Sequence, residues 1–156
     1  MNLTALSLKH IIPSSSSSVC AVTSLGEEVF VARRGNSQKV EVYDAGTLTL
    51  QRSITVPGLG KQRFGLIACI VNSCLYVSDY DNHSIHRAEL RGSNAVKKWS
   101  VANNPAGLSV NRAHNVVVAF EWAKKLQEYT TDGSLVRDMY AGRCDNFISC
   151  CSAVHW

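Results

Sequence analysis

The short apolar run Leu75-Tyr76-Val77-Ser78 decides the fold, because the chain contains it in nearly the same form two more times. The related runs are VFVA at residues 29–32 and VVVA at residues 116–119. The first residues of the three runs lie 46 and then 41 positions apart. A pattern that returns at a nearly constant period indicates one structural unit built three times along the chain.

The segments around each run repeat as well. Another apolar run begins ten residues earlier, at 19–22, 65–68 and 106–109. A strand-like alternation begins ten or eleven residues later, at 40–43, 85–88 and 126–129. After a turn signal that contains Gly, a fourth strand-like segment follows, at 49–56, 96–101 and 134–139. Val, Thr, Ile and Tyr alternate with polar residues in these segments, which predicts strands and disfavours the helical repeats of similar period.

Four short strands in each period of 41 to 46 residues are typical of a β-propeller blade. The alternative is a β-sandwich, which also has many short strands with regular turns. A sandwich gives no reason for the same pattern to return three times in register. The sequence therefore predicts an all-β fold: a β-propeller segment of about three four-stranded antiparallel blades.

The second unit resembles a known repeat family. Its segment 75–85, LYVSDYDNHSI, has the apolar strand, the Asp, the short loop with Asn and the second strand of an NHL-type repeat. The segments 104–110 (NPAGLSV) and 128–133 (EYTTDG) resemble the opening and the ending of such a repeat. The resemblance covers residues 18 to 140 and implies a six-bladed propeller. The first unit departs from it, with Arg33 where Asp79 stands in the second, and the third unit lacks the Asn.

These units divide the chain into a Ser-rich N-terminal lead (1–17), three blades (18–63, 64–104 and 105–140) and an irregular C-terminal tail that contains cysteines (141–156). Closed propellers use about four to eight blades, so three blades make an incomplete ring. We expect the chain to be a fragment of a longer propeller. Self-association that completes a ring, or an open arc, are the alternatives.

Charge and hydrophobicity along the sequence predict the cellular compartment and the classes of partner. The formal net charge of +4 is small and scattered, which does not by itself indicate nucleic-acid binding. The longest apolar candidate, 64–78, is uncharged over 15 residues and is too short to span a membrane, so we expect no membrane partner. No secretory signal pattern opens the chain. We therefore expect a cytoplasmic protein with reduced thiols, in which Cys20 and Cys69 act as small buried hydrophobic residues.

The resemblance also implies a binding face. In propellers, the loops between the second and third strands share one face with the segments that connect the blades. The cations and aromatic residues that it places there suit contacts with protein, and with RNA as the alternative. The binding residues predicted in this way are Arg33, Arg34, Lys61, Arg63, Tyr80, Trp122 and Lys124. We expect Asp79 and Asn82 to hold their own loop through Asx-type hydrogen bonds.

No pattern in the sequence indicates catalysis, a metal site or a cofactor. His83 and His86 lie three residues apart on a loop that leads into a strand, so their side chains would not converge on a metal, and we expect both at the surface. We therefore predict a non-enzymatic binding or scaffold module. The alternative is part of a six-bladed hydrolase or lyase whose metal site lies in blades outside this chain.

Overall fold

The computed structural model describes residues 17–35, 37–62, 65–93 and 95–140. Their regular secondary structure consists of strands, with no helix among the described residues. The first blade contains β1 to β4, at Val19–Leu25, Glu28–Arg33, Lys39–Asp44 and Leu50–Thr55. The second contains β5 to β8, at Leu66–Cys69, Cys74–Asp79, Ser84–Glu89 and Val96–Ser100. The third contains β9 to β12, at Pro105–Val110, Val116–Phe120, Lys125–Tyr129 and Leu135–Tyr140.

Each group of four strands forms one antiparallel sheet in which neighbours in the chain are neighbours in space. The first strands of the blades, β1, β5 and β9, lie side by side at the inner edge. The three sheets do not close into a ring. The predicted all-β segment of three four-stranded antiparallel blades is therefore confirmed.

Hydrophobic side chains fill the two spaces between the blades. We call the side of a blade that faces the preceding blade its front face, and the opposite side its back face. The first cluster joins the back face of the first blade to the front face of the second, through residues that include Phe30, Val42, Leu75 and Val77. The second cluster joins the second blade to the third, through residues that include Tyr76, Ile85, Val118 and Phe120.

Strand alternation explains this division. Successive side chains of a strand point to opposite faces, so a strand with a blade on each side is buried on both faces. Every residue of β6 is buried for that reason, in the sequence CLYVSD. The outermost strand of the first blade, β4, has Ile54 as its one buried residue. Burial is therefore greatest in the two middle strands of each blade.

A close approach between blades fixes the identity of Gly133, in the turn between β11 and β12. A Cβ atom at this position would lie 2.6 Å from Cγ of Trp99, which belongs to the second blade. Gly133 also has a φ of 93°, a left-handed conformation that glycine adopts without steric cost. Trp99 in turn makes an edge contact with Tyr76, with ring centroids 6.2 Å apart. The second and third blades are therefore in close contact at Trp99 and Gly133.

The back face of the third blade has no neighbouring blade among the described residues. It carries a groove of about 220 Å³ whose apolar floor comes from Gly107, Ala119, Leu126 and Met139. Separately, the described part of the chain contains no helix of the length and apolarity needed to cross a membrane.

Candidate functional site

The loops between the second and third strands meet the segments that connect the blades at one end of the molecule. We call this surface the loop face: the inter-strand loops 34–38, 80–83 and 121–124 with the connecting segments 56–65 and 101–104, except residues 36, 63 and 64, which are not described. The opposite end carries the β1–β2, β5–β6 and β9–β10 turns. The loop face is the surface on which the sequence places the binding residues.

Hydrogen bonds join the loop face from the first blade to the third. The Gly35 backbone N–H donates to the Lys61 carbonyl at 3.1 Å, and the Tyr80 N–H donates to the Gln62 carbonyl at 3.1 Å. The Asn104 side-chain amide donates to the Tyr80 carbonyl at 3.0 Å. The Glu121 N–H then donates to the Asn104 carbonyl at 3.2 Å. Every loop is therefore fixed to a connecting segment, which preorganises the surface.

Asp79, the last residue of β6, is the centre of the most extensive polar network on this face. Its side chain is fully buried. Its Oδ2 accepts hydrogen bonds from the Gly60 N–H at 3.0 Å and from the Asn82 side-chain amide at 2.8 Å, and lies 3.0 Å from Nε2 of His86. Its Oδ1 accepts from the Asn82 N–H at 3.2 Å. One carboxylate thus joins the connecting segment, the loop and β7.

The network controls the charge of Asp79. Burial favours the neutral carboxyl group and by itself would raise the pKa. The hydrogen bonds from His86, Asn82 and the Gly60 N–H outweigh burial and lower the pKa of Asp79 to about 2. Asp79 is therefore ionised at neutral pH, and its charge is compensated inside the protein.

Asp81 has a similar role on the solvent side of the loop. Its Oδ2 accepts from the N–H groups of Lys61 and Gln62, at 2.8 and 3.0 Å. Gly60, just before them, lies so close that a Cβ atom there would be 2.5 Å from Oδ1 of Asp79. Asn82 closes the contact by donating to the Gly58 carbonyl at 3.2 Å. The loop 80–83 and the connecting segment therefore form a single unit.

His86 differs from the sequence expectation. A surface position was predicted, but the His86 side chain is fully buried against Asp79. The physical reason is strand alternation: Val77 pairs with His86 and Asp79 pairs with Ser84, so both polar side chains lie on the front face of the blade. His83 does lie exposed in the loop, as expected. Sequence reasoning also missed Gly60, because no local pattern indicates its contact with Asp79, 19 residues later in the chain.

The predicted binding residues separate into a buried one and an exposed group. Arg33 is only 8% exposed. Its Nε lies 2.9 Å from Oε2 of Glu41, and its Nη1 donates to the Ser17 carbonyl at 3.2 Å. Arg34, Lys61, Trp122 and Lys124 are exposed on the loop face, and Tyr80 is half-buried. The predicted residue Arg63 lies outside the described residues.

Trp122 is the most prominent residue of the face, with 89% of its surface exposed. Its φ of 68° lies in the left-handed region, which is a genuine outlier for a bulky residue. The side chains of Glu121 and Trp122 both interact with Tyr80, on the neighbouring loop. The bond to Glu121 raises the pKa of Tyr80. Such strained residues cluster at binding and catalytic sites.

A second polar cluster lies on the back face of the third blade. Glu128 is 3% exposed, and its Oε1 accepts from the side-chain amides of Asn111 and Asn115 at 2.7 and 2.8 Å. Its Oε2 lies 2.7 Å from Nε of Arg137. The bonds from Asn115, Asn111 and Arg137 lower the pKa of Glu128 against the effect of burial. Among the residues that the structure describes, no group of three or more His, Cys, Asp or Glu could hold a metal ion.

Neither the models of known protein families nor the curated protein sequences match this chain. Several solved structures, in contrast, are similar to it. It is similar to a Kuenenia stuttgartiensis hydrazine synthase (TM-score 0.63, 18% identity), over 74% of this chain and 33% of that one. It is also similar to a catalytically inactive virginiamycin B lyase from Staphylococcus aureus with quinupristin (TM-score 0.68, 11% identity), over 85% and 44%. A third is KlHsv2 with loop 6CD replaced by a Gly-Ser linker (TM-score 0.55, 18% identity), over 80% and 40%.

The chain therefore spans between a third and a half of the length of these structures. At identities of 11 to 18%, the likeness concerns the fold and not the activity. Together with the three antiparallel blades, it shows that this chain has a β-propeller fold.

Proposed function

We propose that this chain is a non-enzymatic binding module that engages a protein partner through its loop face. The observation that carries the proposal is Trp122, an almost fully exposed indole held in a strained backbone conformation. Trp and Arg are the residues that most often dominate protein–protein binding energy. An exposed Trp on a preorganised surface loses little conformational entropy when it is buried by a partner.

The exposed cations of the loop face indicate the chemistry of the proposed partner. Arg34, Lys61 and Lys124 are exposed cations on the loop face. Two acidic side chains of the loop face are already bonded within the protein. Asp79 is buried in its network, and Asp81 accepts hydrogen bonds from two backbone N–H groups. The partner surface that fits is a protein segment with carboxylates around an apolar pocket that receives the indole.

The buried pair of Asp79 and His86 supports a non-enzymatic role. Both side chains are fully buried and bond each other, so they stabilise the loop and do not face a substrate. The alternative remains a hydrolase or lyase of propeller type whose metal ligands lie in further blades. The similar structures include a lyase and a hydrazine synthase, each much longer than this chain.

Affinity capture with matched variants tests the proposal. Baits of the wild-type chain, Trp122→Ala and Lys61→Ala are compared with Ile70→Ala, which removes a residue 72% exposed in the β5–β6 turn at the opposite end. We expect a protein that is retained by wild type and Ile70→Ala, with binding at least tenfold weaker to Trp122→Ala. A protein retained equally by all four baits contradicts the proposal.

Ribonuclease treatment in the same experiment distinguishes a protein partner from an RNA partner. Binding that disappears after ribonuclease treatment, and whose affinity falls steeply with salt, would assign the loop face to RNA and overturn the proposal of a protein partner. Binding that survives the nuclease and requires Trp122 supports it.

A further inference from the structure

Two cysteines face each other across the β5–β6 hairpin. Cys69 is the last residue of β5 and Cys74 the first residue of β6, and the register pairs them directly. Directly opposite residues of antiparallel strands have Cα atoms about 4.5 to 5.5 Å apart, which falls within the range of about 4.4 to 6.8 Å found in disulfides. Both thiols are free in the structure.

The two thiols also share a face and a packed environment. Cys69 is 5% exposed and Cys74 is fully buried, and both belong to the cluster between the second and third blades. The hairpin closes through the turn 70–73, in which the Ser73 N–H donates to the Ile70 carbonyl at 3.1 Å. The turn therefore holds the two sulfur-bearing strands in fixed register, at an end of the blade where Ile70 is exposed to solvent.

Unused hydrogen-bond donors lie beside Cys74. Tyr76 and Arg87 pair across β6 and β7 on the face that Cys74 shares, and both interact electrostatically with the Cys74 side chain. Neither the Tyr76 hydroxyl nor Arg87 Nε has a hydrogen-bond partner among the described residues, although both atoms are buried. Buried polar atoms without partners are rare in native proteins. Here two such atoms belong to residues on the same face as a sulfur on which negative charge develops during thiol–disulfide exchange.

We propose that Cys69 and Cys74 are a modification site that forms a reversible intramolecular disulfide with small disulfide oxidants such as oxidised glutathione. Cys69, the more exposed thiol, attacks the oxidant, breaks its S–S bond and forms a mixed disulfide while one glutathione thiol leaves. Cys74 then attacks the Cys69 sulfur and releases the second glutathione thiol. One S–S bond is broken and one is formed, the two cysteines are oxidised, and their two protons end on the two glutathione thiols.

A tryptic map of the wild-type chain tests this proposal. Cleavage after Arg63 and Arg87 gives the peptide 64–87, which contains Cys69 and Cys74 and no other cysteine. The folded protein is treated with oxidised glutathione, alkylated and digested. We expect this peptide to carry no alkyl group and to be lighter than its reduced form by two hydrogen atoms. The internal disulfide should exceed the mixed disulfide by about tenfold, because the second thiol is intramolecular.

Two controls make the outcome decisive. Cys74→Ser removes the resolving thiol and should leave Cys69 as a mixed disulfide with glutathione, which reduced glutathione reverses. Cys20 lies on β1, the equivalent strand of the first blade, and is half-buried. Its neighbours Val19 and Ala21 pair with Arg33 and Ala32 on β2, so no cysteine lies opposite Cys20. It should form a mixed disulfide at most. The proposal is overturned if peptide 64–87 stays doubly alkylated in folded protein under conditions that oxidise Cys20, or if its disulfide forms only after denaturation.

Discussion

Arg33 and Asp79 occupy the same position in successive blades and fix the same parts of the fold with opposite charges. Each is the last residue of its second strand. Arg33 bonds Glu41 on the third strand and the Ser17 carbonyl before the first strand. Asp79 bonds His86 on the third strand and the Gly60 N–H before the first strand. In these two blades the position therefore carries a polar connector of either charge, whereas the third blade has the buried Phe120 there.

Asp79→Asn tests the importance of this connector. The amide keeps the volume, but it loses the charge that attracts several donors and leaves buried donors without a good acceptor. We expect the free energy of unfolding to fall by about 2 kcal/mol, measured by urea denaturation. Asp132→Asn, in the exposed turn before β12, should leave the free energy of unfolding nearly unchanged. Equal effects of the two substitutions would show that the Asp79 network contributes no special stability.

The acid stability of the chain follows from the same carboxylate. The pKa of Asp79 is about 2 in the folded protein, below its ordinary value of 3.8. A lowered pKa in the folded state contributes stability that is fully present above pH 3.8 and is lost as the pH falls toward 2. The difference in unfolding free energy between wild type and Asp79→Asn should therefore be largest near neutral pH and shrink between pH 4 and pH 2. A difference that stays constant over this range would contradict the assignment.

Gly60→Ala should destabilise the loop face. The added Cβ atom would lie 2.5 Å from Asp79 Oδ1 and 2.9 Å from Asp81 Cβ, so the loop or the connecting segment must shift. We expect a loss of about 1 to 3 kcal/mol, as for other overpacked sites, visible as a lower Tm. At Gly46 the same substitution brings Cβ to 3.4 Å from Asp44 Oδ1, an ordinary contact, and should leave the Tm nearly unchanged.

The repeat made the architecture predictable, because blades are defined by periodic strands and the chain shows that period three times. The run LYVS marks β6, whose complete burial explains why apolar residues at 74–77 point to both faces. The same pattern carried no information on pairs that form between loops distant in sequence. Gly60 meets Asp79 across 19 residues, and a glycine in a polar segment gives no sign of such a partner.

The side-chain environment of the predicted site was harder to anticipate. Arg33 and Arg34 are adjacent residues of the same type, yet Arg33 is buried in an ion pair and Arg34 is exposed. Their difference depends on which residue ends β2, and strand ends are the least certain part of a sequence prediction. The pairing of Cys69 with Cys74 depends in the same way on the hairpin register.

Self-association through the back face of the third blade is a further prediction. The groove there has an apolar floor, and such faces drive association when no blade covers them. We expect sedimentation velocity to show a species larger than 17.1 kDa that grows with protein concentration. Met139→Glu, in the groove, should shift the population to monomer, whereas Leu48→Glu, in the β3–β4 turn, should not. A monomer at every concentration would refute the prediction.

Trp122→Gly should stabilise the chain while it removes binding. The left-handed φ of 68° is costly for Trp and free for Gly, and an indole that is 89% exposed contributes little packing. We expect a gain of about 0.5 to 1 kcal/mol in the free energy of unfolding, since the greater entropy of unfolded Gly offsets part of the relief. His114→Gly, at a φ of 62° in the β9–β10 turn at the opposite end, should give a similar gain with binding intact. Thermal melts and the capture assay measure the two effects, and a chain destabilised by Trp122→Gly would show that this tryptophan supports the fold instead of binding.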